Sequence, residues 1–166
     1  MILGMSASAF LQLHVILSLV GIFTGVIVVF GMLSASRLPT WTALFLITTV
    51  ATSVTGFMFP GTGLDPARIV GIISLVVLAI AIAALYIYHL AGTWRWLYVV
   101  SSVAAVYLNT FVGVVQAFQK VSFLHPLAPT GSEPPFIVAQ VLLVVLFIVL
   151  GILATKKFHP AMRAPA

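Results

Sequence analysis

The chain has very few charged residues: seven Lys or Arg and two Asp or Glu among 166, or 5% of the sequence. A soluble domain carries about 25% charged residues. This chain cannot cover a globular surface with charge, so a soluble domain and a disordered chain are both excluded. The net charge of +5 is spread over a sequence that is 63% hydrophobic, with a mean hydropathy of +1.29. No basic face with interleaved aromatic residues is present, so we expect no nucleic-acid partner.

Cysteine is absent, which excludes disulfides, thiolate metal sites, covalent haem attachment and iron–sulfur clusters. Acidic residues are almost absent as well, since Asp65 and Glu133 are the only two. Both stand where a helix is expected to begin, which leaves little acid–base chemistry. Hydrolase and nucleotide-binding motifs are missing too. We therefore expect no catalytic residues, and an intramembrane enzyme is the least favoured class.

The few charges divide the sequence into uncharged segments, each long enough for one membrane helix of about 20 residues. Proline and glycine fall at the same boundaries, as at Pro39 and at Pro60-Gly61. The sequence predicts an all-α fold, an integral membrane bundle of five transmembrane helices that forms a single domain over residues 1–166. The predicted helices are at about 10–34, 40–59, 66–90, 94–118 and 134–155, with an outer loop at 120–135.

Basic residues in the loops predict the orientation of this bundle. Five fall on one side of the predicted membrane and two on the other, which makes the first side cytoplasmic and places the N-terminus outside. The first group is Arg37, Arg95, Lys156, Lys157 and Arg163; the second is Arg68 and Lys120. Aromatic residues on the cytoplasmic side are expected to form an interfacial belt: Trp41, Trp94, Trp96, Tyr86, Tyr88 and Tyr98.

Polar and small residues recur at helical spacing inside the predicted spans. The first span carries a stripe of His14, Ser18, Gly21 and Gly25, in which the two glycines form a GxxxG pair that packs either within one bundle or between two. The second span carries Thr48, Thr52 and Thr55, whose hydroxyls are expected to bind carbonyls one turn earlier.

Most of the polar groups lie toward the outer side, so the sequence predicts an outward-facing polar pocket between the first, fourth and fifth helices, roofed by loop 120–135. The candidate ligand-binding residues are His14, Asn109, Gln116, Lys120 and Gln140 inside it, with Asp65, Arg68, His125 and Glu133 at its mouth. Simpler roles are also open: Asp65 as a helix cap paired with Arg68, Glu133 as a group that stabilises a helix N-terminus, and Lys120 as an interfacial cation.

Such a pocket predicts that the protein binds a small polar molecule or ion or allows its permeation. We expect the lipid bilayer to surround the bundle and no cofactor to be bound. Two alternatives stay open. One is redox work, either with haem b held by His14 and His125 or with a divalent metal. For the metal, His14, His125, Asp65 and Glu133 are suitable donors without a local spacing motif. The other is an accessory or structural subunit that docks a partner membrane protein or a second copy and uses its polar stripes as helix contacts.

Several stretches together resemble a known family. They are TSVTGFMFP (52–60), GIISLVVLAI (71–80), YHLAGTWRWLYVV (88–100), YLNTFVGVVQAFQKV (107–121) and LAPTGSEPPF (127–136). The chain resembles small, functionally uncharacterised bacterial multi-span inner-membrane proteins from about residue 14 to residue 150. The resemblance implies a location in the bacterial inner membrane. In that membrane, the orientation predicted from the basic residues makes the N-terminus periplasmic and the C-terminus cytoplasmic. It carries no catalytic or ligand assignment.

Overall fold

A computed structural model describes residues 2–61, 63 and 65–160. This part of the chain is all-α and contains no β-strand element. The α-helices are α1 (Ala7–Leu33), α2 (Pro39–Gly56), α3 (Pro66–Ile82), α4 (Thr93–Lys120) and α5 (Pro134–Lys157). A π-helical turn, Ala83–Ile87, extends α3, and a short 3-10 turn, His125–Leu127, lies in the α4–α5 loop. The predicted boundaries agree with these helices to within about three residues.

Four helices are long and apolar enough to cross a membrane: α1, α3 with its π-helical turn, α4 and α5. This is the pattern of a multi-pass membrane protein. α2 differs because seven of its 18 residues are Thr or Ser. Its hydroxyls make it less apolar than its neighbours, although α1 and α3 both pack against it.

The extended α3 stops at Ile87, three residues before the predicted end, because the chain reverses direction there. Tyr88 N–H donates to the Ala83 carbonyl at 2.9 Å, which closes the wide turn. His89 and Leu90 then adopt left-handed backbone angles, with φ of 48° and 62°, and Gly92 follows at φ 51°. Left-handed backbone angles interrupt a right-handed helix, and residues with a side chain rarely adopt them. The helix therefore cannot continue through this turn.

The packed core centres on α4, which contacts α1, α3 and α5. Buried side chains from all five α-helices meet there, including Val28, Phe45, Leu78 and Val106. α5 lies at the margin, since only Phe147 and Ala154 of its residues are buried. Its remaining apolar surface is available to lipid.

The glycine pair of α1 packs against its own chain. A Cβ added to Gly21 would lie 2.9 Å from both Asn109 Nδ2 and Thr49 Oγ1. A Cβ added to Gly25 would lie 2.6 Å from Val106 Cγ2. The pair therefore brings α1 against α2 and α4, which answers the question the sequence left open between packing inside one bundle and between two.

The two ends of the bundle differ in charge. We call the end where α1 and α5 finish and α4 begins the basic end; it carries Arg37, Arg95, Lys156 and Lys157. The opposite end, where α3 and α5 begin, carries both acids, and we call it the acid-bearing end.

The aromatic belt expected at the basic end is formed only in part. Trp41, Trp96 and Tyr86 are exposed, and Tyr88 stacks on Trp94 with ring centroids 3.7 Å apart. Tyr98 contradicts the expectation, since it is 2% exposed and packs against Phe158. It lies on the inward face of α4, so it belongs to the core.

Candidate functional site

A cavity of about 120 Å³ lies among α1, α2, α3 and α4, toward the acid-bearing end. Liquid water occupies about 30 Å³ per molecule, so the cavity has room for a few waters or one small solute. Hydroxyl, amide, imidazole and guanidinium groups share its lining with apolar residues. The polar residues are His14, Ser18, Thr49, Thr52, Ser53, Arg68, Ser74 and Asn109.

His14 is fixed by a hydrogen bond between α1 and α2. Its Nδ1 lies 2.8 Å from Thr55 Oγ1, while the Thr55 hydroxyl donates its proton to the Ala51 carbonyl at 2.7 Å. A hydroxyl has one proton, so Nδ1 must carry the hydrogen and donate to Thr55. In the neutral ring Nε2 is then an acceptor, and it has no partner among the described residues.

Asn109 ties α4 to α1 through a reciprocal pair of hydrogen bonds. Ser18 Oγ donates to Asn109 Oδ1 at 2.9 Å, and Asn109 Nδ2 donates to the Ser18 carbonyl at 3.3 Å. Gly21 makes this approach of the two helices possible, because any side chain there would collide with the Asn109 amide. The amide is thus oriented and largely satisfied at the floor of the cavity.

Thr49 is one of three polar cavity residues, with Ser53 and Ser74, that the sequence does not single out. Its hydroxyl oxygen is buried and has no hydrogen-bond partner among the described residues. The neighbouring hydroxyls of α2 differ, because Thr48, Thr52 and Thr55 each donate to a carbonyl four residues earlier, as expected. A second pair of hydroxyl residues at helical spacing, Thr49 and Ser53, is readable in the sequence beside that stripe and could have identified this face.

Arg68 borders the cavity and closes the α2–α3 connection. Its guanidinium donates to the carbonyls of Gly61 and Gly63, both at 2.9 Å, and more weakly to that of Phe59. Asp65 caps α3, as expected, by accepting the Arg68 N–H at 2.9 Å. Its carboxylate lies 3.8 Å from Arg68 Nε, so the expected pairing is present. Asp65 itself does not line the cavity.

The cavity therefore lies elsewhere than expected. His14, Asn109 and Arg68 are brought together, but α5 and loop 120–135 contribute no lining residue. Gln140 lies at the α4–α5 contact and donates to the Phe111 carbonyl at 3.3 Å. Gln116, Lys120 and His125 are exposed. Instead of α5, the third helix lines the cavity, through Ser74 and Arg68. Instead of loop 120–135, the α2–α3 connection borders it, through Phe57.

Glu133 stands at the N-terminus of α5, as expected, but its carboxylate makes no capping hydrogen bond to that helix. Pro134 and Pro135 begin that helix and have no N–H to donate. The carboxylate accepts instead from the Thr130 N–H and hydroxyl, at 3.0 and 2.8 Å, and from the Ser132 N–H at 3.0 Å. It closes the loop that precedes the helix and lies outside the cavity.

The Glu133 carboxyl should titrate at low pH. Desolvation acts to raise its pKa, but the hydrogen bonds from Thr130 and Ser132 outweigh it and lower the pKa from 4.5 to about 2. A lowered folded pKa means that the ionised form favours the folded loop. This contribution is present above about pH 4.5 and is lost as the pH falls through about 2. Carboxyl NMR should give a midpoint near 2, with faster amide exchange at Thr130 and Ser132 below it.

Glu133→Gln is the matched control for this titration. The amide keeps an acceptor oxygen but removes the ionisation, so the change in amide exchange between pH 4.5 and 2 should disappear. A wild-type midpoint at the ordinary value of a glutamate would contradict the loop geometry.

The donors suggested for a metal are not brought together. Within the described ranges, no three His, Asp or Glu side chains lie close enough to share an ion. His14 is bonded to Thr55, Asp65 to α3, and Glu133 to its own loop. The divalent-metal alternative thus has no ligand set in this part of the chain.

Comparison with known proteins adds no assignment to this geometry. No family model, curated protein or solved structure matches the chain. The resemblance to small bacterial inner-membrane proteins therefore stays a prediction, and the cavity among α1, α2, α3 and α4 is the feature on which a functional proposal depends.

Proposed function

We propose that this chain is a multi-pass protein of the bacterial inner membrane whose cavity binds a small, uncharged polar molecule from the periplasmic side. In this proposal α2 is a fifth span, the N-terminus is periplasmic and the C-terminus is cytoplasmic. The four apolar helices support the membrane setting. The cluster of Arg and Lys at the basic end supports the orientation, because such residues concentrate on the cytoplasmic side.

The unpartnered Thr49 hydroxyl carries the proposal. Its residue is 2% exposed, and a buried hydroxyl without a partner is costly, by about 1 to 3 kcal/mol. The other hydroxyls of the α2 stripe avoid this cost by bonding to their own helix. Thr49 lines the cavity, and in this proposal its side chain rotates so that the buried hydroxyl bonds to the ligand, which removes the cost.

The groups around the cavity favour a neutral ligand. Thr49 supplies a hydroxyl that both donates and accepts, and His14 supplies Nε2 as an acceptor. Among the described residues no carboxylate lines the cavity, so a cation would have no counter-charge there. The Arg68 guanidinium is engaged with loop carbonyls. A molecule with one donor and one acceptor, such as a small amide, an alcohol or water, fits this set.

Binding is favoured over permeation because the cavity ends against the apolar core. One turn beyond Gly21, Gly25 packs against Phe45 and Val106, both of which are fully buried. A polar solute that moved toward the basic end would have to cross this tightly packed apolar layer. The cavity therefore acts as a closed binding site in this proposal.

Acetamide is a suitable probe, since it is neutral and carries both a donor and an acceptor. Titration into the purified full-length protein should shift the His14 side-chain nitrogen resonances in a saturable way. Thr49→Val should weaken acetamide binding about two- to tenfold, the effect of losing one hydrogen bond. Sodium chloride at equal concentration should leave the resonances unchanged.

Thr48→Val is the matched control. Thr48 precedes Thr49, is similarly buried and carries the same side chain, but its hydroxyl bonds to Leu44 and it does not line the cavity. Acetamide affinity should be unchanged in this variant. Equal loss in both variants, or no shift at His14 in the wild type, would contradict the proposed binding site.

A further inference from the structure

A second cavity, of about 320 Å³, lies at the basic end and is independent of the site proposed above. The α1–α2 loop, the α3–α4 turn, the start of α4 and the segment after α5 meet there. Its lining residues are Arg37, Leu90, Gly92, Arg95, His159 and Pro160. Two guanidinium groups and an imidazole thus come from three separate parts of the chain to one cavity.

Positive charge at this cavity has no acidic side chain to balance it. The only two acids of the chain are Asp65 and Glu133, and both precede helices at the opposite end of the bundle. Lys156 and Lys157 add to the charge at the basic end. A cleft lined by one sign of charge concentrates ions of the other sign, so the expected ligand is an anion.

Both arginines keep N–H groups that no described residue uses, and these can bind such an anion. Arg95 uses Nη1 to hold the end of α5, by donating to the carbonyls of Phe158 at 2.7 Å and Thr155 at 3.3 Å. Its Nε and Nη2 have no hydrogen-bond partner in the described part of the chain, and neither has the exposed side chain of Arg37. A guanidinium presents N–H groups in a planar fork that matches the oxygens of a phosphate.

An apolar groove at the same end indicates where a phosphate would come from. The groove, of about 480 Å³, runs between α4 and α5 and is lined by aliphatic and aromatic residues such as Val100, Val103 and Phe147. Thr155 and Lys156 form its end nearest the basic cavity. Thr155 also links the two features, since its carbonyl accepts from Arg95.

We propose that the basic cavity binds the phosphate of an anionic phospholipid headgroup, with one acyl chain in the α4–α5 groove. Basic pockets between helices at the cytoplasmic side of a membrane are suited to such headgroups. Arg37 and Arg95 contact the phosphate oxygens. The apolar side chains of the groove contact the acyl chain in place of neighbouring lipids.

Native mass spectrometry of the purified full-length protein tests this site. We expect phosphatidylglycerol to bind more tightly than phosphatidylcholine with the same acyl chains. Arg37→Gln should weaken phosphatidylglycerol binding about fivefold. Lys157→Gln is the matched control: it removes the same charge at the same end, but Lys157 does not line the cavity, so the loss should be less than twofold. Arg37 is chosen because Arg95 also holds α5 in place.

Three outcomes would overturn the proposal. Equal losses in the two variants would mean diffuse attraction to a basic surface without a site. Equal binding of the two lipids would mean that headgroup charge is not recognised. Inorganic phosphate binding as tightly as phosphatidylglycerol, with the same dependence on Arg37, would identify a site for a soluble phosphate and overturn the lipid assignment. None of these results bears on acetamide binding at Thr49.

Discussion

Gly25→Ala should destabilise the bundle by about 1 to 3 kcal/mol. The new methyl group would lie 2.6 Å from Val106 Cγ2 and 3.0 Å from the Phe45 ring. Val106 is β-branched and fixed in its rotamer on a helix, and Phe45 is fully buried, so neither can move aside cheaply. α1 must then shift away from α2 and α4. The measurement is the free energy of unfolding in mixed micelles, followed by helical circular dichroism.

Gly151→Ala provides the control for this prediction. Gly151 is also a helix-interior glycine, but an added Cβ would meet its nearest neighbour, Val103 Cγ1, at an ordinary 3.5 Å. Alanine is a better helix former than glycine by about 0.5 to 1 kcal/mol. The free energy of unfolding should therefore be unchanged or slightly higher. Equal losses in the two variants would contradict the close contact at Gly25.

Arg68→Ala should have the second large effect, a loss of about 1 kcal/mol with local opening of the α2–α3 connection. The substitution removes a charged donor that is only 22% exposed and leaves the carbonyls of Gly61 and Gly63 without their guanidinium partner. The contact with Asp65 adds little, because that carboxylate is 43% exposed. Amide hydrogen exchange around Phe57 and Phe59, together with the free energy of unfolding, measures the result.

Two further variants separate charge from geometry at this position. Arg68→Lys keeps the charge, but an ammonium group cannot reproduce the planar fork that reaches both carbonyls, so it should rescue stability only in part. Lys120→Ala removes an exposed cation at the same end of the bundle and should change the free energy of unfolding by less than about 0.5 kcal/mol. If Arg68→Ala has no more effect than Lys120→Ala, the hydrogen bonds of Arg68 do not stabilise the connection.

The helix boundaries could be predicted closely from the sequence because particular residue types mark them. Charged residues, proline and glycine stand at nearly every end, and a membrane span has a narrow range of lengths. The end of α3 could not be predicted as well. The residues from Tyr86 to Leu90 have no breaker among them, and the left-handed turn at His89 and Leu90 is imposed by the need to reach α4.

The site was harder to predict because periodicity gives the face of a helix but not its neighbour. His14, Ser18 and Asn109 line one cavity, and Ser18 bonds to Asn109 across it. Gln116 and Gln140 lie on comparable stripes, yet one is exposed and the other binds a backbone carbonyl at the edge of the bundle. The helices that pack beside α1 are set by tertiary contacts, which periodicity does not reveal. Here Gly21 lets both α2 and α4 approach α1 closely, because it has no side chain.

The hydroxyl-rich composition of α2 has a consequence for how the protein is made. In the five-span arrangement proposed above, α1 and α5 are apolar enough to partition from the translocon into lipid by themselves. α2 is less apolar and should enter lipid much less readily by itself. Only five residues, 34–38, separate it from α1. Because α1 contacts α2 along the faces that hold Gly21 and Thr49, the two helices should leave the translocon as one hairpin. Insertion of α2 would then require that α1 stays at the translocon until α2 has packed against it.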